Sequence, residues 1–316
     1  MNRGPSQRGA ALLVAMIVLT LVATLAAGMI WQQARAIGVE SAERTRAQAA
    51  WILSGAMNLG RVLLRLDART PGVDHKNEVW GTPLRETPLS SMLAQDRTNN
   101  VEGAPEAFLS GGIRDAQDRY NLRNLVDAAT HKLVPAELEA LTRLCESASV
   151  APQTAQLLAQ GLQAAWQAER ADAGDGDSED APLAPQTVEQ LTWLGLDAES
   201  VRRLQAYVEL LPAATPLNIN TATPEVLAGV IGLDVASAKR LEGKRPFKTL
   251  QDARDEIPAS ITLDPKRLSV GSSYFVITGV LKMDGRMLEE RLLVKRDNRQ
   301  VLPQARWRQA VLPAAQ

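Results

Sequence analysis

A chain of 316 residues is long enough for two or three small domains with cores of their own. Its 35 lysines and arginines against 36 aspartates and glutamates leave a formal net charge of -1, so no overall positive field draws it to nucleic acid or acidic lipid. The single cysteine, Cys145, excludes an intrachain disulfide and a cysteine-based zinc site, and the two histidines, His75 and His131, stand far apart and outside HExxH or GxSxG contexts, so the usual parts of metalloproteases and hydrolases are missing.

The chain starts with a short basic leader, MNRGPSQRG, and then carries no formal charge from Ala10 to Trp31. As a helix that run reaches roughly 33 Å, enough for the ~30 Å hydrocarbon core of a bilayer. It is too long for the apolar part of a cleavable secretory peptide, which spans about 7–15 residues. Arg3 and Arg8 precede it, which places the N-terminus in the cytoplasm and the bulk of the chain across the membrane. No proline stands between Pro5 and Pro71. Apolar residues recur at helical spacing past the span: Ile30, Ala34, Ile37, then Ala49, Ile52, Leu53, Ala56, Leu59, Leu63 and Leu66. Arg35, Glu40, Glu43, Arg44, Arg46 and Arg61 take the other face. One helix of about 55 residues is predicted, on the order of 80 Å long, weakened locally at Gly28, Gly38, Gly55 and Gly60.

Thr70 to Gly112 is rich in turn residues, including Pro71, Pro83, Pro88, Pro105 and Gly111-Gly112, with room for one or two short strands near Glu78–Leu84 and a loop-heavy connection. GGIRDAQDRYNLRNLVD then reads as a hairpin or strand-turn. From Pro135 to Glu169 the period is helical. ERADAGDGDSEDAP is an acidic loop, and Thr187 to Leu211 returns to helix. The last part changes period: Ser269–Lys282 alternates, Asp284-Gly285 supplies a turn, Met287–Lys295 returns, and a third strand is predicted near Gln304–Val311. The fold class is therefore α+β, with a sheet split by a helical insertion.

Arg8-Gly9 followed by Ala10-Ala11-Leu12-Leu13-Val14 resembles the leader of type IV pilins and pseudopilins. The resemblance implies cleavage between Gly9 and Ala10 by a prepilin peptidase, with the apolar helix retained. Most members of that family carry a glutamate at the fifth mature position, where this chain has Val14. A carboxylate within a membrane costs a few kcal/mol unless paired, so valine suits a subunit with nothing stacked above it. IRDAQDRYNLRNL, PLNINTATPEVL, RPFKTL and SSYFVITG, in that order around a helical stretch, resemble the type II secretion minor pseudopilin K family over nearly the whole chain. That resemblance implies a pilin-like long N-terminal helix packed on a small antiparallel sheet, with a large all-helical (SAM-like or helix-hairpin-helix-like) insertion. It divides the chain into a leader (1–9), a transmembrane half of the stem (10–31), a first pilin-like part (32–125), the insertion (126–268) and closing strands (269–316). It also implies a non-enzymatic, single-pass protein of the bacterial inner membrane, with its bulk in the periplasm. Such a protein caps a pseudopilus, initiates its assembly and supports export of folded proteins across the outer membrane. The implied partners are minor pseudopilins I and J, with H and the major pseudopilin, and the prepilin peptidase; no nucleic acid and no small-molecule substrate is implied.

Two segments carry other readings. PLNINTATPEVLAGVIGLDVASAKRLEGKRPFKTLQDARD also looks like a helix-hairpin-helix repeat, and the alternative is a membrane-anchored, competence-type DNA-binding protein. Against it, Ile231-Gly232-Leu233-Asp234 puts an aspartate where a second glycine is expected, with loss of positive-φ freedom and repulsion of phosphate. Lys239, Arg240, Lys244, Arg245 and Lys248 are interleaved with Glu225, Glu242, Asp252, Asp255 and Glu256, so few phosphates would be neutralised. In the acidic loop, Asp172, Asp175, Asp177, Glu179 and Asp180 are either a solvated loop or hard-oxygen ligands for calcium. Resemblance to the pseudopilin K family implies the latter, with Asp177, Glu179 and Asp180 following the Trp166 helix.

Overall fold

The structure is a computed structural model that describes residues 8–69, 72–93, 106–171, 182–259 and 261–311. It divides into two compact units, residues 1–54 and 55–316. A single helix, α1 (Arg8–Asp67), runs through the first unit and into the second. Its length follows from the absence of proline and from an apolar repeat that outlasts the uncharged run. Within the first unit every side chain from Ala11 to Arg44 is exposed. The Thr20 and Thr24 hydroxyls donate to the carbonyls of Ile17 and Leu21, so the two polar groups in the apolar run are satisfied by their own helix.

In the second unit the chain leaves α1 into a 3-10 turn, Val79–Gly81, followed by β1 (Leu84–Pro88), the short α2 (Leu89–Leu93), β2 (Ala107–Asp115) and β3 (Tyr120–Asn121). The helical region follows: α3 (Pro135–Ser147), α4 (Gln153–Ala171), a 3-10 segment Val188–Leu194, α5 (Ala198–Leu204), β4 (Val208–Glu209), β5 (Leu217–Asn218), α6 (Pro224–Ile231), α7 (Val235–Glu242) and α8 (Leu250–Arg254). β6 (Leu268–Ser269), β7 (Tyr274–Met283), β8 (Arg286–Asp297) and β9 (Gln300–Val311) close the chain.

The main sheet has the order β1-β2-β7-β8-β9, antiparallel throughout. β2 and β7 are neighbours, so the whole helical region is inserted between two paired strands. Two short parallel pairs, β3 with β4 and β5 with β6, tie that region together at its entry and exit. One face of the sheet receives the end of α1: Met57 and Leu64 pack with Trp80, Phe275, Ile277, Leu292, Val294 and Val301. Arg61 adds two donations to the Val301 carbonyl, at 2.9 and 3.2 Å. The helical region has its own core, centred on Leu122, Leu141, Leu144, Leu158, Leu162, Leu191, Leu204, Val226 and Leu227.

Several elements differ from the sequence expectation. The strand expected near Glu78–Leu84 starts only at Leu84, because Val79–Gly81 is a 3-10 turn in which buried Trp80 donates its indole N–H to the Glu78 carboxylate two residues back. Gly111-Gly112 is strand interior: a Cβ at Gly111 would lie 2.2 Å from the Thr278 carbonyl oxygen, so glycine is what lets β2 approach β7. GGIRDAQDRYNLRNLVD is no hairpin, since β2 pairs with β7 whereas Tyr120 pairs with Val208. The Asp284-Gly285 turn closes the β7–β8 hairpin with positive φ at both residues (50° and 70°), as a type I′ turn requires.

Gly60 is the close-contact point of α1: a Cβ there would meet Ile277 Cγ2 at 2.7 Å, whereas one at Gly55 meets nothing within 4 Å. Gly60→Leu is therefore expected to lower unfolding stability by about 2 kcal/mol through overpacking. Gly55→Ala is expected to raise it by roughly 0.5–1 kcal/mol through helix propensity. Urea denaturation of the two variants measures both.

Candidate functional site

The most elaborate polar arrangement lies where the helical region meets the sheet. β2 ends on Asp115, which is fully buried. Its Oδ2 accepts from Thr221 Oγ1 (2.6 Å), Ser272 Oγ (2.6 Å) and Asn218 Nδ2 (2.9 Å), and its Oδ1 from the Gln117 N–H (2.8 Å). Asn218 also donates to the Asp74 carbonyl at 3.1 Å. Gln117 completes the joint: its Oε1 accepts from the Ser273 and Tyr274 N–H groups, while its Nε2 donates to the Pro216 carbonyl. Burial pushes the Asp115 carboxyl up to about 6, against the lowering effect of the Ser272 and Thr221 hydroxyls.

A second layer surrounds Asp74, itself buried. Its carboxylate accepts from the Ser272 N–H at 2.7 Å and from Arg296 Nη2 at 2.6 Å, and Arg296 Nη1 donates to Asp67 at 2.6 Å. The Arg296 guanidinium lies 4.7 Å over the Phe275 ring, whose edge contact with Trp80 joins this layer to the sheet core. One arginine thus fastens the end of α1, the following loop and the end of β8. Asp67, Asp74 and Glu78 bring carboxylate oxygens within 4.8 Å of one another. Arg296 answers Asp67 and Asp74, while Glu78 accepts from the His75 N–H and the Trp80 indole. Burial is the main cause that raises the Asp67 carboxyl, with the Glu78 charge next.

The remaining motif residues are clamps of the same kind. Asn121 Nδ2 donates to Ala213 O and Thr215 Oγ1 while its Oδ1 accepts from Arg123 and Leu211 N–H. Asn124 exchanges two hydrogen bonds with the Thr215 backbone, and Asn220 two with the Phe247 backbone. Side-chain amides here imitate strand pairing where no strand runs.

The α6–α7 hairpin does not form a phosphate cradle. Gly232 is the left-handed residue, with φ 84°, and caps α6; its N–H and that of Leu233 both donate back to Ala228 O. Asp234 needs no positive φ: at φ -73° it is the N-cap of α7, accepting from Ser237 N–H at 2.8 Å. The Ser237 hydroxyl and amide hold its carboxyl below the usual range, so a negative charge stands at the mouth of the turn. The amides that would meet phosphate are spent inside the fold, and the DNA-binding alternative has no support here.

Of the residues singled out by sequence, Gly9 and Ala10 fall in the first turns of α1 and Val14 is an exposed residue of its apolar run. Asp177, Glu179 and Asp180 lie outside the described residues. Asp74 and Arg296 were not singled out. Their partners lie 198 and 222 positions away, with no local pattern to mark them.

Fold and joint together define a class: a pilin-like α+β subunit with a helical region set between two sheet strands. A family model described as type II secretion system protein K matches residues 118–213. The type II secretion system protein K of Pseudomonas aeruginosa is 28% identical over 309 residues, covering 90% of this chain and 87% of that protein. That of Klebsiella pneumoniae is 25% identical, covering 93% and 94%. In the crystal structure of the GspK-GspI-GspJ complex from the enterotoxigenic Escherichia coli type 2 secretion system, one chain matches with a TM-score of 0.64 and 19% identity, over 86% of this chain and 99% of that one. By these matches the chain is similar to type II secretion system protein K over nearly its whole length.

Asp115→Ala removes the buried acceptor shared by Thr221, Ser272, Asn218 and the Gln117 N–H, while Asn218 keeps its bond to the Asp74 carbonyl, and is expected to cost on the order of 3 kcal/mol. A carboxyl raised to about 6 in the folded chain, above its ordinary 3.8, holds its proton more tightly there than in the unfolded chain. Its contribution is therefore full below about pH 4 and falls as pH rises through 6. Urea denaturation at pH 4.5 and 7.5 is expected to show the wild-type advantage over Asp115→Ala shrinking at the higher pH.

Proposed function

We propose that this chain is a minor pseudopilin that caps the periplasmic pseudopilus of a type II secretion system and starts its assembly, supporting export of folded proteins across the outer membrane. The observation that carries the reading is the stem. α1 is long and apolar enough to cross a membrane, with a mean hydropathy of 2.6 in its most apolar window. Beyond that window it has two apolar faces. Met57 and Leu64 face the sheet, while Leu59, Val62 and Leu66 are 50%, 43% and 48% exposed. A helix that leaves a second apolar stripe in water is suited to packing against other helices. The stem is read as anchored in the inner membrane with its N-terminus cytoplasmic, cut between Gly9 and Ala10 by prepilin peptidase, and the rest as periplasmic.

The inserted helical region favours a terminal position, because it widens the head well beyond what a sheet on one helix needs. Val14 agrees, since a subunit with nothing stacked above it gains nothing from a membrane-embedded carboxylate. Minor pseudopilins I and J are the expected neighbours, by analogy with the E. coli protein that is in complex with GspI and GspJ, with H and the major pseudopilin further down. The role is structural, not enzymatic. Calcium on Asp177, Glu179 and Asp180 is part of the same reading and rests on five carboxylates within nine residues.

N-terminal sequencing of the protein from envelopes with active peptidase is expected to begin at Ala10; an intact Met1 overturns the processing. Val62→Arg is expected to abolish secretion while leaving the melting temperature within about 2 °C, since the side chain is exposed. Secretion unchanged by that variant argues against the stem stripe. Adding a calcium chelator is expected to lower the melting temperature of the full chain by several degrees; an unchanged value removes the ion from the account.

A further inference from the structure

The two edges of the main sheet are finished differently. β1 is five residues long, has a register irregularity between Leu84 and Thr87, ends on Pro88 and is followed at once by α2, which lies against it. Those are devices that stop an edge recruiting another strand. β9 is 12 residues long and pairs only with β8 among the described residues. Its first part carries Pro303 and an extra, bulged residue, Gln304, opposite the Leu293–Val294 step of β8. From Ala305 to Val311 the register is regular, no proline intervenes, and every residue is at least partly exposed. The outer backbone groups of such a strand have no ladder partner and form a template for pairing.

The charge on this edge is one-sided. β9 holds Arg306 and Arg308 and no acidic residue. Both guanidiniums reach Glu290 on β8, which is fully buried, while the arginine side chains stay 47% and 37% exposed. Two guanidiniums against one carboxylate leave a surplus positive charge facing outward. Charged edges repel like edges, and β9 laid antiparallel on a second β9 brings arginines against arginines. The same charges favour a strand that carries carboxylates.

We propose that Ala305–Val311 is a docking strand that accepts an extended, carboxylate-bearing segment of a different pilin-like subunit, adding a strand to the sheet. Backbone pairing supplies affinity, and Arg306 and Arg308 select the acidic partner. The proposal rests on the pseudopilin reading above and names the surface through which one neighbour binds.

The test is hydrogen exchange on the full chain in detergent, alone and with the I- and J-type pseudopilins of the same system. Amides across 305–311 are expected to slow at least tenfold when the partners are added. Slowing confined to residues 55–67 of α1 overturns the docking strand and leaves the pseudopilin reading standing. No slowing anywhere overturns both. Slowing of 305–311 in the chain alone as its concentration is raised means self-pairing, and also overturns the proposal.

Discussion

Asp115 is buried, yet it holds a carboxylate with four donors converging on it from β2's own turn, from Asn218 and Thr221 just ahead of α6, and from Ser272 just before β7. Such a group is tolerated only when every donor is present, because desolvation of a lone charge exceeds anything packing returns. The joint is therefore all or nothing, and it determines where the helical region stands on the sheet. Asp74 and Arg296 extend the same constraint to the end of α1, so stem, sheet and helical region share one set of hydrogen bonds. The apolar cores on either side stabilise the parts. The polar joint orients them.

That division explains what was readable in the chain. Long-period features declare themselves locally: the uncharged run from Ala10 to Trp31, the helical repeat on to Leu66, and the alternation from Tyr274 to Val294 with Asp284-Gly285 between. Thr223 before Pro224 likewise marks the start of α6. IRDAQDRYNLRNL, PLNINTATPEVL and SSYFVITG stood out as motifs, but their purpose did not. Asp115 and Ser272 are 157 positions apart, and nothing in either stretch names the other. Read locally, Asp and Asn before short apolar runs mean turns, which leaves open whether the strands on either side pair; here the strand-turn alternative holds and the hairpin does not. The 3-10 turn at Trp80 was hidden for a similar reason, as a buried indole bonded to Glu78 overrides the extended preference of its neighbours.

The same joint bears on function. In the motifs by which this chain resembles protein K, Asp115, Gln117, Asn121, Asn124, Asn218, Asn220 and Ser272 are spent on holding elements together. The Gly232 turn, which on sequence alone suggested a nucleic-acid contact, is closed by its own amides and capped by Asp234. Among the described residues, the outward-facing surfaces include the apolar face of α1 and the β9 edge with Arg306 and Arg308.

If one polar network unites the sheet and the helical region, they cannot melt separately. Differential scanning calorimetry of the full chain is expected to show residues 55–316 unfolding in a single transition, with calorimetric and van't Hoff enthalpies in agreement. Two resolved transitions in the wild-type protein, one for the sheet and one for the helical region, would contradict the account.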